Sequence, residues 1–298
     1  MKSKDLKYRY AMVNGEKQEA MPGLRGICIG CGVELIARCG EQNRWHWAHK
    51  NNKECPYSKK EPKIQWHWDW QNLFPKEWQE VRCTDEQTGE IHIADIKTPN
   101  GLVVEFQHSA INPEERSSRE QFHKNMTWVV DGARIKKTQK LGLGLANILC
   151  KVLQSASLGF HDVIDGCETI HGQDNKKIKL FACPKAEQFF PKEWLDIPVP
   201  VFFDFNISEK TQLLNKKIIL GLIYLDSKYY VVKLDYNILI EEIKSQKLIF
   251  DLVKAFPVTV QNTVSPTPKQ IYRRGNFHPG MNARQINNMK SKNTGSTF

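Results

Sequence analysis

Between Glu80 and Gln107 the chain alternates short apolar runs with turn sequences, and no other stretch constrains the fold as tightly. Glu80–Thr84, Ile91–Ile96 and Leu102–Gln107 read as strands. Gln87-Thr88-Gly89 separates the first two, and Pro99-Asn100-Gly101 the second two. Connections this short make neighbouring strands antiparallel, so the three form a meander. Side chains alternate between the faces of a strand. Glu105 and Gln107 therefore share one face, and Val104 and Phe106 point the other way. His108 points opposite to Gln107 and is left out of the site. The short second turn sets Asp95 beside Glu105. Two carboxylates together on a mostly apolar hairpin are costly unless a positive charge meets them. A hard cation, Mg2+ or Mn2+, answers that need. It would also activate a water and offset charge on a phosphate.

The flanking segments extend the pattern. From Glu61 to Phe74, Trp66, Trp70, Leu73 and Phe74 recur at helical spacing, and Pro62 suits a first helical turn. Asn112-Pro113-Glu114-Glu115 opens a second helix, with Asn112 as cap and Pro113 at its first position. Thr127–Val130 then reads as a short buried strand. The order is α-β-β-β-α-β. Beyond it, Ala146–Leu153 reads as helical. Val199–Phe205, Ile218–Leu225 and Tyr229–Leu234 read as strands, and Leu239–Phe256 has helical periodicity.

The first 58 residues read as short strands around a cysteine and histidine cluster: Cys28-x2-Cys31, Cys39, His46-x2-His49 and Cys55. Zinc takes four ligands in a tetrahedron, and a C-x2-C turn offers two thiolates at a suitable separation. Gly30 and Gly32 flank Cys31 and help the turn bend. The preferred set is Cys28, Cys31, His49 and Cys55. The alternative replaces Cys55 with His46, and Cys39 is a weaker candidate. A complete set with no open position serves folding, not chemistry.

Eight cysteines in 298 residues are too few for a disulfide scaffold. No apolar run reaches the ~18 residues of a membrane helix, and the charged start has no following apolar stretch. A soluble cytoplasmic protein is expected. Net charge is +10, of which +6 falls after Asn262 in a segment without Asp or Glu. Such a segment fits a polyanionic partner through phosphate contacts, or else serves solubility. The organisation expected is a zinc module at 1–58, a core at 59–158, an α+β region at 159–261 that could complete the core, and a flexible basic tail at 262–298.

One Asp, a hairpin, then Glu-x-Lys marks the PD-(D/E)XK nucleases. Here the pattern is Asp95, then Glu105-x-Gln107. Gln can orient water or phosphate but carries no charge, and Lys97 could supply a cation. The chain also resembles the CoiA-like competence proteins in four linked places. These are Cys28-x2-Cys31 with His46-Trp47-Ala48-His49; His67 in the helix before the sheet; Ile93-Ala94-Asp95 with Glu105-Phe106-Gln107-His108-Ser109; and Arg119 with Trp128-Val129-Val130-Asp131. Gln after Glu-x is common in that family.

The resemblance implies a restriction-endonuclease-like core that hydrolyses DNA phosphodiesters in transformation, recombination or defence against foreign DNA. Asp95 and Glu105 would bind Mg2+ or Mn2+, and Gln107 would position water or phosphate. His67 could coordinate metal, hold phosphate or act as a base. Glu61 is a further candidate for the metal shell. Arg116, Arg119 and His123 share a helical face, with Arg119 a candidate phosphate contact. The partners expected are DNA and other proteins of a DNA-processing assembly. Two rival readings are the same fold binding DNA without cutting, and a zinc-stabilised interaction subunit.

Overall fold

The computed structural model describes residues 8–42, 45–50, 65–134, 167–171, 177–210, 215–225 and 227–245, all within one compact unit, Met1–Thr259. It is a mixed α/β structure of two sheets, and most of its elements are strands. The helix expected at Ala146–Leu153 and the basic tail lie outside the described residues. No described helix is long and apolar enough to cross a membrane.

The first sheet is antiparallel. It contains β1 (Tyr10–Val13), β2 (Glu16–Glu19), β3 (Arg25–Ile27), β4 (Glu34–Arg38) and β5 (His46–His49), in the order β2-β1-β3-β4-β5. Leu35 and Trp47 fill its small core. Among the described residues, contacts around Gln79 fasten it to the second sheet. The Tyr10 hydroxyl donates to Gln79 Oε1 at 2.7 Å, and Lys17 Nζ donates to the Gln79 and Glu77 carbonyls.

The second sheet has nine strands. Helix α1 (Gln65–Gln71) precedes the meander β6 (Gln79–Thr84), β7 (Ile91–Lys97) and β8 (Val103–Gln107). Before Pro75 the helix tightens, with Leu73 N bonding to Trp70 O and Phe74 N to Gln71 O. Helix α2 (Pro113–His123) then crosses over to β9 (Met126–Val130), which runs parallel to β8. The Asn112 side chain caps α2 by accepting from Glu114 N at 2.8 Å. These elements follow the α-β-β-β-α-β order read from the sequence.

The chain continues through β10 (Cys167–His171), β11 (Lys177–Ala182), the single turn α3 (Ala186–Phe189), β12 (Val201–Lys210), β13 (Asn215–Leu225), β14 (Lys228–Asp235) and α4 (Tyr236–Ser245). Strand β12 pairs in parallel with β9, so the later strands extend the same sheet in the order β10-β11-β14-β13-β12-β9-β8-β7-β6. Alternation along the strands divides the core in two. Val104, Phe106, Val129 and Phe202 pack with α1 and α4 on one face. Val103, Trp128, Val130 and Phe203 pack with α2 and α3 on the other. Layers of helix, sheet and helix result.

One buried carboxylate ties α1 to the later strands. Asp204 Oδ2 accepts from Trp66 Nε1 at 3.1 Å, Trp70 Nε1 at 3.2 Å and Lys217 Nζ at 2.8 Å. Its Oδ1 accepts from Asn206 N at 3.0 Å, where the β12–β13 register shifts. Asp204 is only 2% exposed. Removing it would strand two indole donors and a cation. Asp204→Ala is expected to lower unfolding free energy by about 3 kcal/mol or more in denaturant titration. A loss below about 1 kcal/mol would mean that water replaces the carboxylate readily.

Candidate functional site

The turn between β3 and β4 forms a knuckle. Cys28 N donates to Val33 O at 2.8 Å and Gly32 N to Cys28 O at 3.0 Å. Gly32 has φ +72°, a conformation that side chains disfavour, so this turn needs glycine there. The register pairs Leu35 with His49 and brings β5 alongside. The ligand atoms of Cys28, Cys31 and His49 lie within 4.8 Å of one another, with Cys31 Sγ 3.2 Å from His49 Nε2. Burial lowers the pKa of His49 below its ordinary value, which favours the neutral, lone-pair-bearing imidazole that a metal needs. This cluster could hold a metal ion such as zinc.

His46, the ligand of the alternative set, is not in this cluster. His46 and His49 are three residues apart on one strand, so they face opposite ways. A single ion at the knuckle can take His49 but not both. Cys39 packs against the same small apolar core as Cys28 and Cys31 but is not in the cluster of ligand atoms. Cys55 and Glu61 lie outside the described residues.

The second cluster sits where β7 and β8 part. Their ladder pairs Ile96 with Val104 and Lys97 with Val103 beside the turn. Beyond that, β7 stays with β6 and β8 with β9, and a notch opens between them. Asp95 and Glu105 occupy its apex in facing positions. Their side chains take over from the ladder: Phe106 N donates to Asp95 Oδ2 at 3.0 Å, and Asp95 N to Glu105 Oε1 at 3.4 Å. Both are buried, at 2% and 1% exposure.

Helices from both faces meet the carboxylates. From α1, His67 Nε2 stands 3.2 Å from Asp95 Oδ1, and Gln71 Nε2 donates to Asp95 O at 3.3 Å. From α2, Arg119 donates to Glu105 Oε2 at 2.9 Å and also pairs with Glu115, while His123 Nε2 lies 3.8 Å from Glu105 Oε1. Burial disfavours the Arg119 charge. Glu105 first and Asp95 next more than offset this, so its pKa rises and it stays a cation. The guanidinium expected to meet a phosphate is therefore paired with Glu105. It supplies, from within the chain, positive charge that the sequence reading assigned to a metal or to Lys97. Lys97 stands on the ladder opposite Val103, toward the turn.

The remaining residues read from sequence are placed as follows. Arg116 shares the α2 face but turns to Glu120 at 3.3 Å and to the Glu193 carbonyl. Glu120 also accepts from Trp128 Nε1 at 3.0 Å. Burial pushes its pKa up to about 7 against the pull of Arg116 and Trp128. Gln107 Nε2 donates to Ser109 O at 2.9 Å. His108 pairs with Asp131, Nδ1 to Oδ2 at 2.8 Å. No local sequence pattern announces that pair, because the two residues meet only through the parallel β8–β9 pairing.

The molecule is thus a two-sheet α/β protein with a metal-ready knuckle on the small sheet and a carboxylate notch on the large one. Residues 16–58 match the family model described as competence protein CoiA, N-terminal domain, which supports a CoiA-like family. The match takes in the knuckle and ends before α1. No curated protein and no solved structure matches the chain significantly.

Elemental analysis of protein purified without added metal is expected to show about one zinc per chain, lost in Cys28→Ser and Cys31→Ser. A well-folded, zinc-free wild type would remove the metal from the knuckle.

Proposed function

We propose that this chain is a metal-dependent DNA nuclease of the CoiA-like type, with a PD-(D/E)XK arrangement in the large sheet. The observation that carries the reading is the pair Asp95 and Glu105 at the apex of the notch, on adjacent strands of an α-β-β-β-α-β unit. The donor set fits a hard cation, since both groups are carboxylates and face the same gap. Bound Mg2+ or Mn2+ supplies a more acidic water and positive charge for the phosphate.

The chain's own residues do the rest. Asp95 and Glu105 hold the cation. His67 orients Asp95 from α1. Gln107, one side-chain step along β8 from Glu105, positions water or phosphate. The basic segment after Asn262 and cations near the notch draw DNA by phosphate contacts. The CoiA-type domain supports a competence-related role, here transformation or recombination, and defence against foreign DNA is the alternative setting for the same chemistry. Zinc at the knuckle, with Cys55 as fourth ligand, holds the small sheet.

One observation favours a second reading, DNA binding without cleavage. Arg119 already neutralises Glu105, and Gln107 stands where the nuclease pattern has a charged Lys. In that reading the notch is a closed ion-pair network and no divalent ion enters it.

Purified protein is expected to cut single- or double-stranded DNA with Mg2+ or Mn2+ and not with EDTA. Asp95→Ala should lower the rate by about 100-fold or more. Cutting that Asp95→Ala leaves intact belongs to another site or a contaminant, and binding without cutting supports the second reading.

A further inference from the structure

Helix α1 is seven residues long, too short to hold its place without neighbours. Residues four apart share a helical face, and successive pairs give α1 three working sides. Trp66 and Trp70 meet Asp204. His67 and Gln71 meet Asp95. Trp68 and Asn72 turn to the small sheet. Trp68 borders a cavity with Arg9, Glu19 and Ala20, and Asn72 Oδ1 accepts from Arg9 Nη2. Asn72 N still bonds to Trp68 O at 2.9 Å, so it belongs to the last turn. The side that orders Asp95 and the side that meets the small sheet are thus offset by one residue.

Arg9 is held from several directions. Its side chain is 11% exposed, and its Nε donates to Glu19 Oε1 at 2.9 Å. The guanidinium carbon lies 4.8 Å from the Tyr10 ring centroid. Helix α1 has no basic residue in its last turn, so Arg9 brings a cation to that carbonyl end from another sheet. The residues on either side of Arg9 are fixed too. Tyr8 N donates to Trp47 O at 3.1 Å, and Trp47 N to Tyr8 O at 2.9 Å. The Tyr8 ring stands edge-on to His49, with centroids 5.3 Å apart. Tyr10 donates to Gln79. Residues 8–10 therefore link a knuckle ligand, His49, to the turn of α1 that carries Gln71.

We propose that Arg9 is a positioning residue for the notch, coupling the small sheet to divalent-ion binding at Asp95 and Glu105. This rests on the divalent-ion reading above. Arg9 acts through α1. It holds Asn72, which fixes the last turn, and that turn keeps Gln71 and His67 against Asp95. Loosening the turn frees Asp95 from its place facing Glu105 and weakens the hold on a shared ion. At the other end of the link, an ion at the knuckle fixes His49 and so steadies Tyr8 and Arg9. The two sites then share a coupling free energy carried by a contiguous set of contacts.

The alternative is that Arg9 merely fastens one sheet to the other. Lys17 separates the two, because it fastens the same sheets through the Glu77 and Gln79 carbonyls, beyond α1. Mn2+ is titrated calorimetrically into zinc-replete wild type, Arg9→Gln, Asn72→Ala, the double variant of these and Lys17→Met, with melting followed in parallel. Arg9→Gln and Asn72→Ala are each expected to weaken Mn2+ binding about 10-fold, and the double variant no further than either. Lys17→Met should bind within about twofold of wild type, since it leaves the contact with α1 intact. Stripping zinc from wild type should weaken Mn2+ binding by a similar factor and change Arg9→Gln little. Wild-type affinity in Arg9→Gln, additive losses in the double variant, an equal loss in Lys17→Met, or unchanged binding by folded zinc-free wild type would each overturn the coupling and leave the divalent site standing. If Arg9→Gln or the zinc-free protein fails to fold, Asn72→Ala against Lys17→Met decides by the same comparison. A wild type that takes up no Mn2+ removes the divalent-ion reading and this proposal with it.

Discussion

Two carboxylates at the apex of a notch, each under 3% exposed, need positive partners or they cannot both remain charged. The architecture around the large sheet's meander answers that demand. Strand divergence frees the backbone donors of Asp95 and Phe106, and the two side chains accept from them. Helix α1 brings His67 from one face, and α2 brings Arg119 and His123 from the other. Neither helix is free to drift. Asp204 holds α1 through two indoles, and Glu120 ties α2 to Trp128.

The internal charge balance also defines the functional question. A divalent cation joining Asp95 and Glu105 must compete with Arg119 for Glu105. If it wins, the guanidinium is released beside the metal, where it can meet a phosphate. If it loses, the same residues form a sealed network and the fold serves binding. The knuckle of Cys28, Cys31 and His49 contributes no charge to this balance, since it organises a separate sheet with its own small core.

Local pattern made the meander legible. Period-two alternation and two tight turns fix the register, and the register alone puts Asp95 opposite Glu105. The cap at Asn112 and the shared face of Arg119 and His123 were readable for the same reason, because helical spacing is local. His46 and His49 were separable in principle once residues 46–49 are taken as a strand. The grouping of Asp204 with Trp66 and Trp70, and of His108 with Asp131, was not legible. Each joins residues through strand pairings and helix packing that no short window encodes. The partner of Arg119 was missed differently: its face was clear, but a guanidinium on a helix face points equally well to phosphate or to carboxylate. The strands after Val199 were recognisable singly, and only their parallel pairing with β9 shows that they continue the same sheet.

The central claim is that the notch binds a divalent ion. Calorimetric titration of Mn2+ into zinc-replete protein tests it directly. The expected result is saturable uptake by wild type that is abolished in the double variant Asp95→Asn, Glu105→Gln, while zinc content stays unchanged. Uptake that is the same in both proteins, or absent from wild type, would contradict the account and leave Arg119 as the cation that Glu105 meets.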